Sequence, residues 1–278
     1  MMNWAVMPYL GNLDQTRQAV EDVLDQTLPD VHVLLIEQGS FAPIEVDDLA
    51  IKRWHDRVHR WHHDPPLPSL SATWNRALRM VWEAGGEFAW VVNNDVRLHK
   101  ETYKELLCVL ASEDALFVSA VGVTPEQYDP TIDVTLSLYQ NEHGREGGVY
   151  PTQIAKGGPD FSCFVITKAC HDRYPFDEGF IPAYCEDLDY HRRLMLDSQG
   201  GRIFSVNLPF LHFASGTLKG MTPEAREKKE AQINTGSRAH YERKWGGPVN
   251  HERWTIPFDF TTDTDHVTTP ELQHGKAT

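Results

Sequence analysis

Apolar positions at the start of the chain mark a strand, a helix and a second strand in quick succession. Trp4-Ala5-Val6-Met7 predicts the first strand, with Pro8 through Leu13 as the loop after it. Val20, Val23 and Leu24 recur at helical spacing and predict a helix from about Asp14 to Gln26, where Asn12 and Gln15 have capping-box spacing. Pro29 and Asp30 punctuate, and Val31 to Ile36 is the second strand, ending in Glu37-Gln38-Gly39-Ser40. The loops of such a unit open on one sheet edge, where open α/β sheets form ligand crevices, and Glu37 falls at that edge.

The pattern then repeats with variations. Val58 to Trp61 predicts a third strand, and Pro65, Pro66 and Pro68 interrupt regular structure after it. Trp74, Leu78 and Val81 predict a helix from about Thr73 to Ala84, ended by Gly85-Gly86. Phe88 to Val92 runs apolar without alternation, as suits a strand covered on both faces. Lys100 to Leu110 reads as a helix and Leu116 to Val121 as a strand. Between Thr124 and Gly158 the periodicity weakens around one candidate strand, Val134 to Tyr139, which predicts an insertion or a loop. Phe161 to Thr167 resumes a strand, Leu188, Leu194 and Met195 predict a packed helix, and Ile203 to Val206 gives one more short strand. Thr222-Pro223-Glu224 starts a charged helix with an N-cap threonine and proline at its first position. Beyond Trp245-Gly246-Gly247 the chain reads as irregular, and from Thr261 as a polar tail.

Composition narrows the picture. A chain of 278 residues that is 41% hydrophobic supports a substantial core. Its formal charge of −14 disfavours an affinity built mainly on neutralising nucleic-acid phosphates. Arg226, Lys228, Lys229, Arg238, Arg243 and Lys244 form a charge run that is either a local positive face or simply solvated. Cys108, Cys163, Cys170 and Cys185 have neither zinc-knuckle pairing nor the density of a disulfide scaffold, which favours reduced thiols. Neither a secretory leader nor a run of about 20 apolar residues is present, so a cytoplasmic location is expected.

Four groups of residues carry candidate chemistry. Asn93-Asn94-Asp95 follows the apolar run of Phe88 to Val92. It is either a plain strand exit, or a site where Asp95 ligates a divalent cation and the asparagines shape a loop around a phosphorylated ligand. Glu186-Asp187 precedes basic residues on a helix; the order suits the helix dipole, and the acidic end also suits a cleft. His212, inside the apolar run Phe210 to Phe213, is either a core histidine or a metal ligand beside Asp95. The His55, His59, His62 and His63 group has no carboxylate or cysteine at ligand spacing and reads as a polar strand edge.

The order of these segments is more telling than any one of them. Pro8-Tyr9 with Asn12, Glu37-Gln38-Gly39-Ser40, Asn75-Arg76-Ala77, Asn93-Asn94-Asp95, Glu186-Asp187 and His212 together resemble the family 2 glycosyltransferases, over roughly residues 4 to 220. The Asn-Asn-Asp tripeptide is similar to the rhamnosyltransferase-like variant of that family's Asp-Xaa-Asp. The resemblance implies an α/β chain of the GT-A fold: a single Rossmann-like nucleotide-binding domain with a mixed central sheet and a C-terminal helical extension. The corresponding division is 1–220 for the glycosyltransferase domain, with 124–158 as an acceptor-side loop region, and 221–278 for the extension and tail.

The resemblance also implies roles. Pro8 and Tyr9 border the nucleotide, Glu37 and Gly39 lie at its base, and Arg76 either faces the diphosphate or closes its helix against the sheet. Asn93 and Asn94 line the donor loop, and Asp95 with His212 holds Mn²⁺ or Mg²⁺. Asp187 is the catalytic base, and Glu186 orients it or binds acceptor hydroxyls. A UDP- or dTDP-linked sugar is the implied donor and a hydroxyl-bearing molecule the acceptor, a polymer or modified nucleic acid included. The competing functions are a sugar-nucleotide- or carbohydrate-binding protein without turnover, and a sugar-phosphate nucleotidyltransferase. The latter lacks a Gly-rich triphosphate loop near the first strand.

Overall fold

The computed structural model describes residues 2–9, 11–39, 56–131, 149–151, 159–197, 202–213 and 222–260. The candidate strand Val134 to Tyr139, along with Ser40, His55 and the tail from Thr261, lies outside the described residues. Apolar runs become strands of one mixed sheet. β1 (Asn3–Tyr9), β2 (Val31–Gln38), β3 (Val58–His63) and β4 (Phe88–Val92) are parallel, in the order β3-β2-β1-β4. The order continues through β8 (Cys163–Thr167), β6 (Phe117–Val123), β9 (Ile203–His212) and the short β5 (Val96–Arg97), while β7 (Val149–Pro151) pairs with β9. β8 is antiparallel to both its neighbours, and β6 runs parallel to β9.

Period-2 side chains divide the core between the two faces. Ala5, Met7, Val33, Leu35, Trp90 and Val92 pack with α1 (Leu13–Leu24) and α3 (Thr102–Ser112). Trp4, Val6, Leu34, Ile36, Ala89 and Val91 pack with α2 (Leu70–Glu83), α4 (Lys168–Arg173) and α5 (Glu186–Leu196). Trp74 anchors this second face, with ring centroids 5.8 Å from Phe164 and 4.9 Å from Phe176. α6 (Pro223–Ile233), a π-helical turn at Asn234–Arg238 and α7 (Ala239–Trp245) follow, and Phe180, Cys185, Tyr241 and Trp245 form a smaller core cluster of their own.

Several boundaries differ from the sequence expectation for identifiable reasons. Asn12 does not cap α1: it is left-handed at φ 60, follows left-handed Gly11, and its side chain makes no cap bond. α2 begins at Leu70 rather than Thr73, because the Ser69 hydroxyl accepts the Ala72 N–H at 3.1 Å. α3 begins at Thr102 rather than Lys100, and its Tyr103 N–H is taken by Oε1 of Gln26, 77 residues earlier. β8 starts at Cys163, since Asp160 Oδ1 accepts the Ser162 N–H at 2.8 Å and turns the chain there. Ile203–Val206 and the Phe210 run are one strand, with Pro209 accommodated at a register shift opposite Ser119 and Val121. Lys244 is not part of a solvated charge run but is buried between two carboxylates. All four cysteines are free thiols, three of them buried, and no helix among the described residues is long and apolar enough to cross a membrane.

Candidate donor and acceptor site

The carboxyl ends of β1, β2 and β4 bring the predicted residues to one sheet edge. Tyr9 pairs with Glu37 in the β1–β2 register, and Glu37 with His62 in β2–β3, so the three share a row. Glu37 is buried, and its Oε1 accepts from Arg60 Nε at 2.9 Å and Nη2 at 2.6 Å. Oε2 faces His62 Nδ1 at 3.8 Å. Burial and then the Glu37 charge push the Tyr9 phenol above its ordinary range, so it remains a neutral donor. Pro8 stands opposite Ile36. Gly39 has φ +72, a backbone that favours glycine, and a Cβ there would stand a tight 3.3 Å from the Pro66 ring. Arg76 lies 5.2 Å over the Trp61 ring and holds α2 against the edge strand.

The exit from β4 is tied in place by Asn94. Asn94 Nδ2 donates to Gly11 O at 2.9 Å and Thr16 Oγ1 at 2.8 Å, joining this loop to the lead-in of α1. The Asn93 N–H donates to Ser162 O at 2.9 Å. Asp95 is thereby held at the sheet edge, where β5 pairs Val96 with His212. His212 Nε2 stands 3.6 Å from Asp95 Oδ1, and the Ser162 hydroxyl is 3.3 Å from its ring nitrogens. Two ligand atoms at that separation can share one cation at roughly 2.0–2.2 Å each. Among the described residues no group of three His, Cys, Asp or Glu forms a metal cage. The pair offers one carboxylate oxygen and one imidazole nitrogen, donors that suit a divalent cation.

Glu186 and Asp187 open α5, whose first N–H groups and dipole favour anions. Burial, and next the Asp187 charge, push the Glu186 carboxyl up to about 8, against the pull of the Glu186 and Tyr184 backbone N–H groups. Both causes favour the protonated form of Glu186, and its buried Oε2 has no hydrogen-bond partner among the described residues. Asp187 is also raised, by burial and by the Asp160 charge, while the Leu188 N–H, 2.8 Å from its Oδ1, opposes the shift. Asp189, two residues on, has no exposure at all: Trp245 Nε1 at 2.9 Å, Lys244 Nζ at 2.8 Å and Arg193 Nε at 2.9 Å all point at it.

Other residues escaped the sequence reading. Asp160, Ser162 and Arg60 adjoin named site residues yet belong to no motif, and only the Pro159-Asp160 turn before a strand hinted at the first. Asn75, read as part of a motif, is a buried hub. Its Oδ1 accepts from Phe176 N and from His171 Nε2, at 2.9 and 3.0 Å, and its Nδ2 donates to Phe176 O and Glu178 Oε1. His171, which burial pushes down to about 4, stays neutral and takes the Trp82 indole proton on Nδ1. A separate cleft of about 580 Å³, lined among others by Arg79, Glu178, Lys244 and Phe258, contains none of the predicted site residues.

By sequence the chain matches no protein-family model and no curated protein. Its structure is similar to that of S. aureus TarS, with TM-score 0.55 and 12% identity over 84% of this chain; the chain spans 43% of the TarS chain. A TarS 1–349 structure in complex with UDP-GlcNAc superposes with TM-score 0.54 at 12% identity, covering 84% of this chain and 66% of that one. The mannosyltransferase PcManGT from Pyrobaculum calidifontis, in complex with GDP-Man and Mn²⁺, gives TM-score 0.55 at 13% identity, covering 88% and 65%. What these likenesses establish is the architecture: a Rossmann-like mixed sheet of the glycosyltransferase GT-A fold.

Proposed function

We propose that the protein is an inverting glycosyltransferase that moves a sugar from a nucleoside-diphosphate sugar to an acceptor hydroxyl. The observation that carries this reading is the Asp95–His212 pair, 3.6 Å apart at the carboxyl edge of a GT-A sheet. A nucleotide sugar bound in two of the similar structures, with Mn²⁺ in one, supports the same class of donor. The chain would use 1–220 for this chemistry, with 124–158 on the acceptor side and 221–278 as support.

Asp95 and His212 would hold Mn²⁺ or Mg²⁺ against the diphosphate, where the ion stabilises charge on the leaving group. Glu37, half-neutralised by Arg60, offers Oε2 to the N3–H of a uracil or thymine, which favours UDP- or dTDP-linked donors. Asp187 accepts the proton of the acceptor hydroxyl while that oxygen bonds to the anomeric carbon and the bond to the diphosphate breaks on the opposite face. One displacement inverts the centre. Burial and the Asp187 charge favour the protonated form of Glu186, which leaves the proton-accepting role to Asp187.

A thermal-shift series of sugar nucleotides with and without Mn²⁺ tests the class. A ligand at about 100 times its Kd adds ~2.7 kcal/mol to stability, so a uridine- or thymidine-linked sugar with Mn²⁺ is expected to raise Tm by roughly 5 °C or more. No shift with any sugar nucleotide would sink the reading; a shift without acceptor-dependent loss of donor would point to binding without turnover. Asp95→Ala is expected to leave metal-free nucleotide affinity near wild type and to cut the Mn²⁺-dependent gain by about tenfold or more, because one of two protein ligands is lost. Calorimetric titration of UDP with and without Mn²⁺ measures this, and an unchanged gain would exclude Asp95 as a ligand.

A further inference from the structure

The loop leading into α5 holds a backbone geometry at odds with its sequence. Tyr184 and Cys185 are both left-handed, at φ 79 and 68. In that region the Cβ crowds the carbonyl, and a bulky residue bears a cost that glycine avoids. Such outliers persist where the surroundings over-determine them, and they cluster at functional sites.

Here the loop is fixed from several directions. From α2, the Leu70 N–H donates to Pro182 O at 3.0 Å and the Ser69 hydroxyl to Glu178 O at 3.3 Å. From the π-helical turn, Gly236 lies so close that a Cβ would stand 2.1 Å from Ile181 O. Lys244 and His240 hold Asp177 at 2.6 and 3.0 Å, and Phe180 is buried against α7. The Tyr184 backbone N–H is itself drawn to the Glu186 carboxyl. Cys185 explains its own geometry, because its side chain is buried in the cluster with Phe180, Tyr241 and Trp245. Tyr184 does not share that account: the residue is 39% exposed, three residues before Asp187.

We propose that Tyr184 is the acceptor-side specificity residue, its ring stacking on the apolar face of a saccharide so that one sugar hydroxyl reaches Asp187. An aromatic ring with a polar tip is suited to a ligand that is apolar on one face and wet at its rim. The contacts of α2, Gly236 and α7 with Asp177, Glu178, Phe180, Ile181 and Pro182 fix the backbone that presents the ring, at a position where glycine would sit without strain. This inference rests on the glycosyl-transfer reading.

Saturation-transfer NMR with methyl glycosides of glucose, galactose, mannose and N-acetylglucosamine, in the presence of UDP and Mn²⁺, tests it. Wild type is expected to bind at least one glycoside. Tyr184→Phe should keep that affinity within about twofold, whereas Tyr184→Leu and Tyr184→Gly should weaken it about fivefold or more with UDP affinity unchanged. The glycine variant removes the ring without asking another Cβ to adopt φ 79, and its UDP-induced thermal shift reports that the site is still folded. Equal glycoside affinity in all variants overturns the proposal. A wild type that binds UDP but no glycoside overturns the saccharide assignment alone, and one that binds no nucleotide overturns the glycosyl-transfer reading beneath it.

Discussion

Asp187→Asn is expected to lower sugar transfer by about 10²–10⁴-fold, the usual contribution of a positioned general base, while donor affinity stays within about twofold. The amide has the shape of the carboxylate and can keep the Leu188 N–H on its remaining oxygen, so the first turn of α5 survives. What it loses is the capacity to take a proton. Glu186 is a poor substitute, because burial, the larger cause of its raised carboxyl, persists in the variant. Wild-type turnover should rise with pH through the raised Asp187 value, above the ordinary carboxylate range, since only the ionised form accepts the hydroxyl proton. Nucleotide release followed against pH, with calorimetry of the donor, separates the two effects. Near-normal transfer by the variant would remove Asp187 as the base.

That experiment addresses a residue visible in the sequence, and the boundary between what was and was not visible is physical. The β4 strand was legible to the residue, since five apolar positions bounded by Gly85-Gly86 and Asn93-Asn94 leave one reading. The α2 lead-in was missed because Ser69 follows three prolines in the same stretch, and a local pattern does not show that its hydroxyl turns back to Ala72. Pro209 split β9 on paper, yet a bulge absorbs it in the sheet. Asp95 and Asp187 sit in motifs, so their candidacy was readable, but their partners were not. Arg60 reaches Glu37 across 23 residues and Ser162 reaches His212 across 50, and no periodicity encodes such separations. The backbone of Tyr184 was equally hidden, because nothing in Pro182-Ala183-Tyr184 asks for a left-handed residue; the packing of Gly236 and α7 around the loop does.

The charge run near the C-terminus gives the sharpest case, and it carries the largest expected effect on stability. Lys244→Met should destabilise the fold by about 3–5 kcal/mol, because removing one partner from a buried ion cluster strands the others. Lys244 bridges Asp177 and fully buried Asp189 at 2.6 and 2.8 Å. Methionine matches its length but not its charge. Trp245, Arg193 and His240 still donate to the two carboxylates, which places the expected loss toward the lower end. Burial alone would raise Asp177, but the hydrogen bonds from Lys244 and His240 outweigh it and hold the carboxyl well below its usual range. A carboxyl depressed on folding stabilises above its unfolded pKa of about 3.9, and that stability is lost as pH falls toward the folded value. Wild type should therefore lose stability between about pH 4 and the acid limit, and Lys244→Met should lose less there because part of that term is already gone. Urea denaturation at pH 7 and pH 3 measures both quantities. Because the same cation tethers α5 through Asp189, the variant is also expected to lower turnover more than donor affinity; a variant as stable as wild type at pH 7, with the same acid slope, would show that α7 does not brace the acidic end of that helix.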